Sequence, residues 1–283
     1  MKVYPIAFLF SLFSLISNAQ QLKSADLTEN FALSVQTIDD FFDRFNLEPN
    51  TPALQYLQEN YPDFKFDRKT IIYSLFDQGN KNLDAKTINE FASQFESDSA
   101  TKIRFELPGW YSVLHCLVKI KNKLHKLDLI MEIDSVHLRS GSIGYKWSIR
   151  SVKAPYIHTQ DSLSKKDSTA IYKASSDFLH PMSHALNFLN IKNIFRKGMT
   201  RSYFAKGADS PDLDSLVSLI DKSQLKYVQL ESVSYHIFQL PGWIVEVNNF
   251  DRLTRNSGWL ISKLLLADEN EKKKYLLSKL NIR

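Results

Sequence analysis

Two histidines stand four residues apart in His180-Pro-Met-Ser-His184, the spacing at which one helix face brings two imidazoles onto one metal ion. Pro181 works against that arrangement, because proline suits the first helical position and leaves His180 at or before the cap. No acidic residue stands nearby to complete a four-ligand set, so no metal is expected. His115 lies in the strand-like run WYSVLHCLVKI, on the side of Tyr111, Val113 and Leu117. In an apolar pocket its imidazole would titrate near neutral pH and could act as a base, and it is the candidate catalytic residue. The commoner arrangement is a histidine satisfied by a neighbouring strand or helix. His236, two residues before Phe238, has the same standing later in the chain.

Carboxylates are the other group that could do acid–base work. Asp128, Glu132 and Asp134 share one side of LDLIMEID, so a paired acid and base is conceivable there. The opposite side is wholly apolar and must face inward, which turns these carboxylates toward solvent. Asp39, Asp40 and Asp43 likewise fall on the polar side of a first helix. No G-x-S-x-G, P-loop, G-x-G-x-x-G or C-x-x-C occurs, so neither serine-hydrolase nor phosphate-binding chemistry has a local signature, and no cofactor is expected. The single cysteine, Cys116, alternates with Ser112, Leu114, Val118 and Ile120 on one strand side and reads as a buried, inert thiol.

What must position these residues is written twice. FELPGW occupies residues 105 to 110 and FQLPGW residues 238 to 243, an offset of 133. Upstream, SLFDQG from Ser74 and SYFAKG from Ser202 match at an offset of 128, and downstream WSIRSV from Trp147 resembles WLISKL from Trp259 at 112. Three matches in one order point to a tandem duplication. In the second copy the tryptophans stand 16 positions apart (Trp243 to Trp259) where in the first they stand 37 apart (Trp110 to Trp147), about one strand fewer. The polar stretch Lys153 to Ala170 marks the boundary, giving a first repeat over 24–157 and a second, shorter one over 168–283.

Each repeat reads as helices followed by strands, an α+β unit. FALSVQTIDDFFDRF has Phe31, Val35, Ile38, Phe41, Phe42 and Phe45 at helical spacing, and SHALNFLNIKNIF is its partner in the second copy. A second helix should close at Gly79 and Gly207 through positive φ. A third runs from Asp84 to Phe95, matched by Asp212 to Ile220, each opened by a capping aspartate. Alternating runs LDLIMEID, YKWSIRS and WIVEVN give an antiparallel sheet with one face under the helices. Leu-Pro-Gly-Trp suits a type II turn with glycine at its third position, feeding a strand that its tryptophan anchors. Each half is thus expected to bury its own strands beneath its own helices, and Trp110, Tyr111, Trp147 and Trp243 are the candidate binding residues. A short closing helix is expected where Tyr275, Leu276 and Leu280 recur.

Helices first, then a long antiparallel sheet, in units of this length, resembles the NTF2-like superfamily, also described as cone-shaped α+β or cystatin-like. The resemblance covers most of both repeats and rests on element order and strand patterning. It implies a sheet folded around its helices to leave a conical pocket. Some members are isomerases or dehydratases, and many only bind ligands or partners, so membership does not choose between the two.

The first twenty residues have Lys2, an apolar run from Tyr4 to Ile16 and Ser17-Asn18-Ala19, the layout of a cleavable signal peptide cut after Ala19. The run is too short for a membrane-spanning helix, which needs about 20 residues. A periplasmic or secreted protein is expected. With 36 basic and 31 acidic residues the charge balance is mild, and the lysines near 119–126 and 272–274 read as solvated surface, so nucleic acid is not an expected partner. The expected function is an exported binding or interaction protein serving an envelope protein or a small molecule. The alternative is an enzyme acting on a small apolar or sugar-derived substrate in a pocket of the first repeat. No sequence feature sets an oligomeric state.

Overall fold

A computed structural model describes residues 29–63, 66–97, 99–137, 141–156, 179–186 and 188–282. The signal-peptide region and most of the expected inter-repeat boundary lie outside the described residues. Six strands form one antiparallel sheet: β1 (Trp110–Ile120), β2 (Lys123–His137), β3 (Ile143–Lys153), β4 (Leu225–Ile237), β5 (Trp243–Phe250) and β6 (Gly258–Leu266). Their order is β3-β2-β1-β4-β5-β6, so two three-stranded meanders meet where β1 pairs with β4. The second meander lacks no strand; its β5 and β6 are 8 and 9 residues long, against 15 and 11 for β2 and β3.

Period-two alternation sorts the two faces as expected. Trp110, Leu114, Cys116, Leu129, Met131, Trp147, Tyr235, Trp243 and Val247 share one buried core that runs across both meanders. Over it lie α1 (Ile38–Phe45), then, beyond the separate helix α2 (Pro52–Asn60), α3 (Arg68–Ser74), α4 (Ala85–Gln94), α5 (Pro211–Asp221) and three single 3-10 turns between residues 181 and 203. Both PGW bends have positive φ at glycine, 95° at Gly109 and 79° at Gly242, and Trp243 donates to Leu240 O at 3.2 Å to close the second. The tryptophans after them are 1% and 3% exposed. The opposite face is covered in part by α6 (Glu269–Leu280), whose Tyr275, Leu276 and Leu280 pack with Ile282 on Val113, Ile130, Phe238 and Ile244.

Several helices differ from expectation for tertiary reasons. The first apolar run is not one helix: Val35 leaves the helical path to bridge Gly258 at the start of β6, and Thr37 then caps α1 by accepting from Asp40 N. An ideal Cβ at Gly258, which has φ +85°, would stand 2.0 Å from Val35 O, so only glycine permits this approach. The run SHALNFLNIKNIF forms 3-10 turns over Pro181–Leu186 and Ile191–Phe195 rather than a helix. α3 closes at Leu75 in right-handed geometry, not at Gly79; Gly207 does take positive φ.

The halves also do not cover only their own strands. Phe76 bridges Ile261 on β6, and Phe204 bridges Ile149 on β3, so each half's helical segment caps the other half's edge strand. Asp77 N donates to Ile261 O at 3.0 Å, and Ala205 N donates to Ile149 O at 2.9 Å. Register shifts fall at Arg150 in β3 and Ser262 in β6. These contacts cover part of the two outer strands and so shorten the free sheet edges that invite association.

Candidate functional site

A cleft of about 340 Å³ opens between α1 and the segment leading into β1, lined by Asp39, Phe42, Asp43, Asn46, Glu48 and residues 102–106. Its outer wall has no regular structure and is held by side chains. Arg68, 1% exposed, donates to Phe45 O, Ser97 O, Ala100 O and Thr101 O. Asn46 closes a two-way bond with Ile103, donating to its carbonyl at 2.7 Å and accepting from its amide at 2.9 Å. Gln239 of the second PGW hexamer clasps the first one, donating to Arg104 O, Leu107 O and Pro108 O while accepting from Arg104 N.

The charges lining this cleft are mostly matched. Lys102 meets Glu48 at 2.8 Å and Arg104 meets Glu106 at 3.8 Å. His184 Nε2 meets Asp39 Oδ2 at 2.6 Å, and its Nδ1 lies 2.6 Å from Pro181 O. Asp43 has no ion-pair partner among the described residues, and partial burial, then the like charges of Asp39, Glu48 and Asp40, raise its carboxyl above the usual range. Phe42 and Phe105 supply the apolar wall, with Phe105 tilted against Trp110 at 5.3 Å.

A second arrangement lies on the far face of the sheet, beside α6. His115 Nδ1 meets Asp128 Oδ1 at 2.8 Å across the β1–β2 pair, and His115 Nε2 meets Ser234 Oγ at 3.3 Å across β1–β4. Ser234 Oγ is also 3.3 Å from His236 Nε2, and His236 Nδ1 is 3.1 Å from the Tyr275 hydroxyl. Glu246, paired with His236 across β4–β5, acts on the Tyr275 hydroxyl. Burial pushes the His236 imidazole down to about 4; Glu246 opposes that shift, and His115 and Lys263 add to it. Burial, followed by Glu246, raises the Tyr275 phenol.

Aspartate, histidine and serine in that order have the connectivity of a charge-relay triad. Ser234, however, sits mid-strand opposite Val113 and Asn248, and its hydroxyl is shared with a second imidazole. The sequence carries no motif for this cluster because its members come from β1, β2, β4, β5 and α6. Ser234 and His236 do alternate onto one strand side, and that was the available signal.

The residues singled out from sequence fall in several places. His115 stands on the face turned away from α1–α5, not in a pocket beneath them, beside Asp128 as a titratable neighbour. Trp110, Trp147 and Trp243 are core residues whose indole N–H groups donate to Phe105 O, Pro181 O and Gln94 Oε1. Tyr111 packs edge-on against Phe238 on the α6 side. Glu132 and Asp134 share the far face with Asp128; burial raises the Glu132 carboxyl, opposed by Arg150. His184 is engaged by Asp39, and His180 Nδ1 accepts from Met182 N. Among the described residues no three His, Cys, Asp or Glu side chains are placed to share a metal, and no helix is long and apolar enough to cross a membrane. No protein-family model, curated protein or solved structure matches this chain.

Proposed function

We propose that this chain is an exported binding protein built from two related α+β units, and that the cleft between α1 and residues 102–106 takes a small ligand with a cationic group on a flat apolar body. The observation that carries the reading is Asp43, the one cleft carboxylate without an ion-pair partner among the described residues. A cleft of about 340 Å³ is of a size that suits a small molecule. A ligand ammonium or guanidinium would lie against Asp43, relieving its repulsion with Asp39 and Glu48, while its body lies on Phe42 and Phe105. The signal-peptide layout supports export. Duplication is supported by the two matching edge contacts, Phe76 with Ile261 and Phe204 with Ile149, at paired positions of the repeated motifs. The NTF2-like likeness belongs to the same proposal, supported by helices preceding strands.

The test is titration calorimetry of the protein with tyramine, agmatine and cadaverine, alongside carboxylates of similar shape. Saturable binding of an amine that weakens at least tenfold in Asp43→Asn is expected. If no amine binds, or Asp43→Asn binds equally well, the cleft is not such a site.

A further inference from the structure

The polar chain on the far face has a property that a merely structural network does not need. Asp128 accepts from His115 Nδ1–H, which leaves Nε2 bare while His115 is neutral. Nε2 must then accept from the Ser234 hydroxyl, and Ser234 Oγ in turn accepts from His236 Nε2–H. His236 Nδ1, now bare, accepts from Tyr275 O–H. Every group is paired and all hydrogen bonds run one way.

With His115 charged, Nδ1–H still donates to Asp128, each bond from Nε2 onward reverses, and each group is still paired. His115 Nε2–H donates to Ser234, Ser234 donates to His236 Nε2, and His236 Nδ1–H donates to Tyr275, whose own hydroxyl turns to Glu246. Two complete arrangements separated by one proton define a wire, since an unpaired buried polar group would otherwise oppose the change.

We propose that Tyr275, His236, Ser234 and His115 form a proton relay across the far face of the sheet, joining Glu246 beneath α6 to the solvent-facing His115–Asp128 pair. A proton arriving at the Tyr275 oxygen displaces the next in turn. Tyr275 O–H passes its proton to His236 Nδ1, His236 Nε2–H passes its proton to Ser234 Oγ, and Ser234 O–H passes its proton to His115 Nε2. One N–H or O–H bond forms for each that breaks, no oxidant or reductant takes part, and the positive charge ends beside Asp128. Burial suits this path: Ser234 and His236 are 3% and 7% exposed, whereas the His115 and Asp128 side chains are 37% and 30% exposed. The charged and titratable groups around the path are Asp128 from β2, His236 from β4, Glu246 from β5, Lys263 from β6 and Tyr275 from α6. His236 is neutral in both states and changes only its tautomer. This relay does not depend on the cleft holding a cation.

The experiment is long-range imidazole ¹⁵N NMR of the whole protein from pH 5 to 8, reading the tautomer of His236 and the protonation of His115 together. The wild-type protein should show His236 exchanging from Nε2–H to Nδ1–H with the same midpoint as His115. In Ser234→Ala, which removes the middle hydroxyl and little volume, His236 should cease to follow His115. A His236 tautomer that stays constant while His115 titrates overturns the relay, as does equal coupling in Ser234→Ala.

Discussion

Lowering the pH should destabilise this fold through His236 by an amount the structure sets. The imidazole is buried between the sheet and α6 and pushed down to about 4 from an ordinary 6.5. Between those values the unfolded chain binds the proton and the folded chain does not, so stability rises with pH. The contribution is fully present above about pH 7 and is lost as the pH falls; at roughly 1.4 kcal/mol per pKa unit the loss is about 2 kcal/mol at pH 5 and about 3 kcal/mol at pH 4. The perturbation that isolates it is His236→Gln, which keeps a polar side chain and removes the titration. Urea unfolding of both proteins at pH 7.5, 5 and 4 gives the assay, since carboxylate effects common to the two cancel in the difference. The advantage of wild type over His236→Gln should shrink by about 2 kcal/mol from pH 7.5 to 5. A difference that stays constant to within about 0.5 kcal/mol would refute the claim that burial keeps this imidazole neutral.

Two further outcomes test the packing. Gly258→Ala places a methyl group 2.0 Å from Val35 O at φ +85°, so the backbone must part there. The loss of the Val35 N–Ser257 O and Trp259 N–Val35 O bonds then adds to the left-handed strain. Together these cost more than about 3 kcal/mol, against roughly 1–2 kcal/mol for Gly207→Ala, where strain acts alone. Equal melting temperatures for the two variants would show that Val35 is not docked on β6. Cys116 is fully buried, and burial, with Asp128 and Glu231 behind it, pushes its thiol up to about 12 from 9.0. Reaction with a disulfide reagent at pH 8 should be about 1,000-fold slower in the native protein than in denaturant, and comparable rates would place the thiol at the surface.

Strand faces were legible because a period of two leaves little freedom once one side is apolar: Leu127, Leu129 and Met131 went inward and Asp128 and Glu132 outward. The PGW bends were legible for the same local reason, since proline and glycine restrict the turn and the tryptophan that follows has to be buried. The helix through Val35 was not legible. Its apolar spacing fits a helix, and only a contact 223 residues away, with Gly258, pulls the backbone out of one. The same limit hid the sharing of covers between halves, because nothing in Phe76 or Phe204 says which edge strand it will meet.

The cluster at Ser234 extends that argument from fold to site. Read separately, each half has an unremarkable polar strand face: His115 and Asp128 in one, Ser234, His236 and Glu246 in the other. Pairing β1 with β4 brings the imidazole of the first half within 3.3 Å of the hydroxyl of the second, and α6 then lays Tyr275 against the far end. Neither meander alone contains a path from Glu246 to Asp128. The relay belongs to the joint between the halves, so changes that loosen the β1–β4 pairing should uncouple the two histidines even where each keeps its own neighbours.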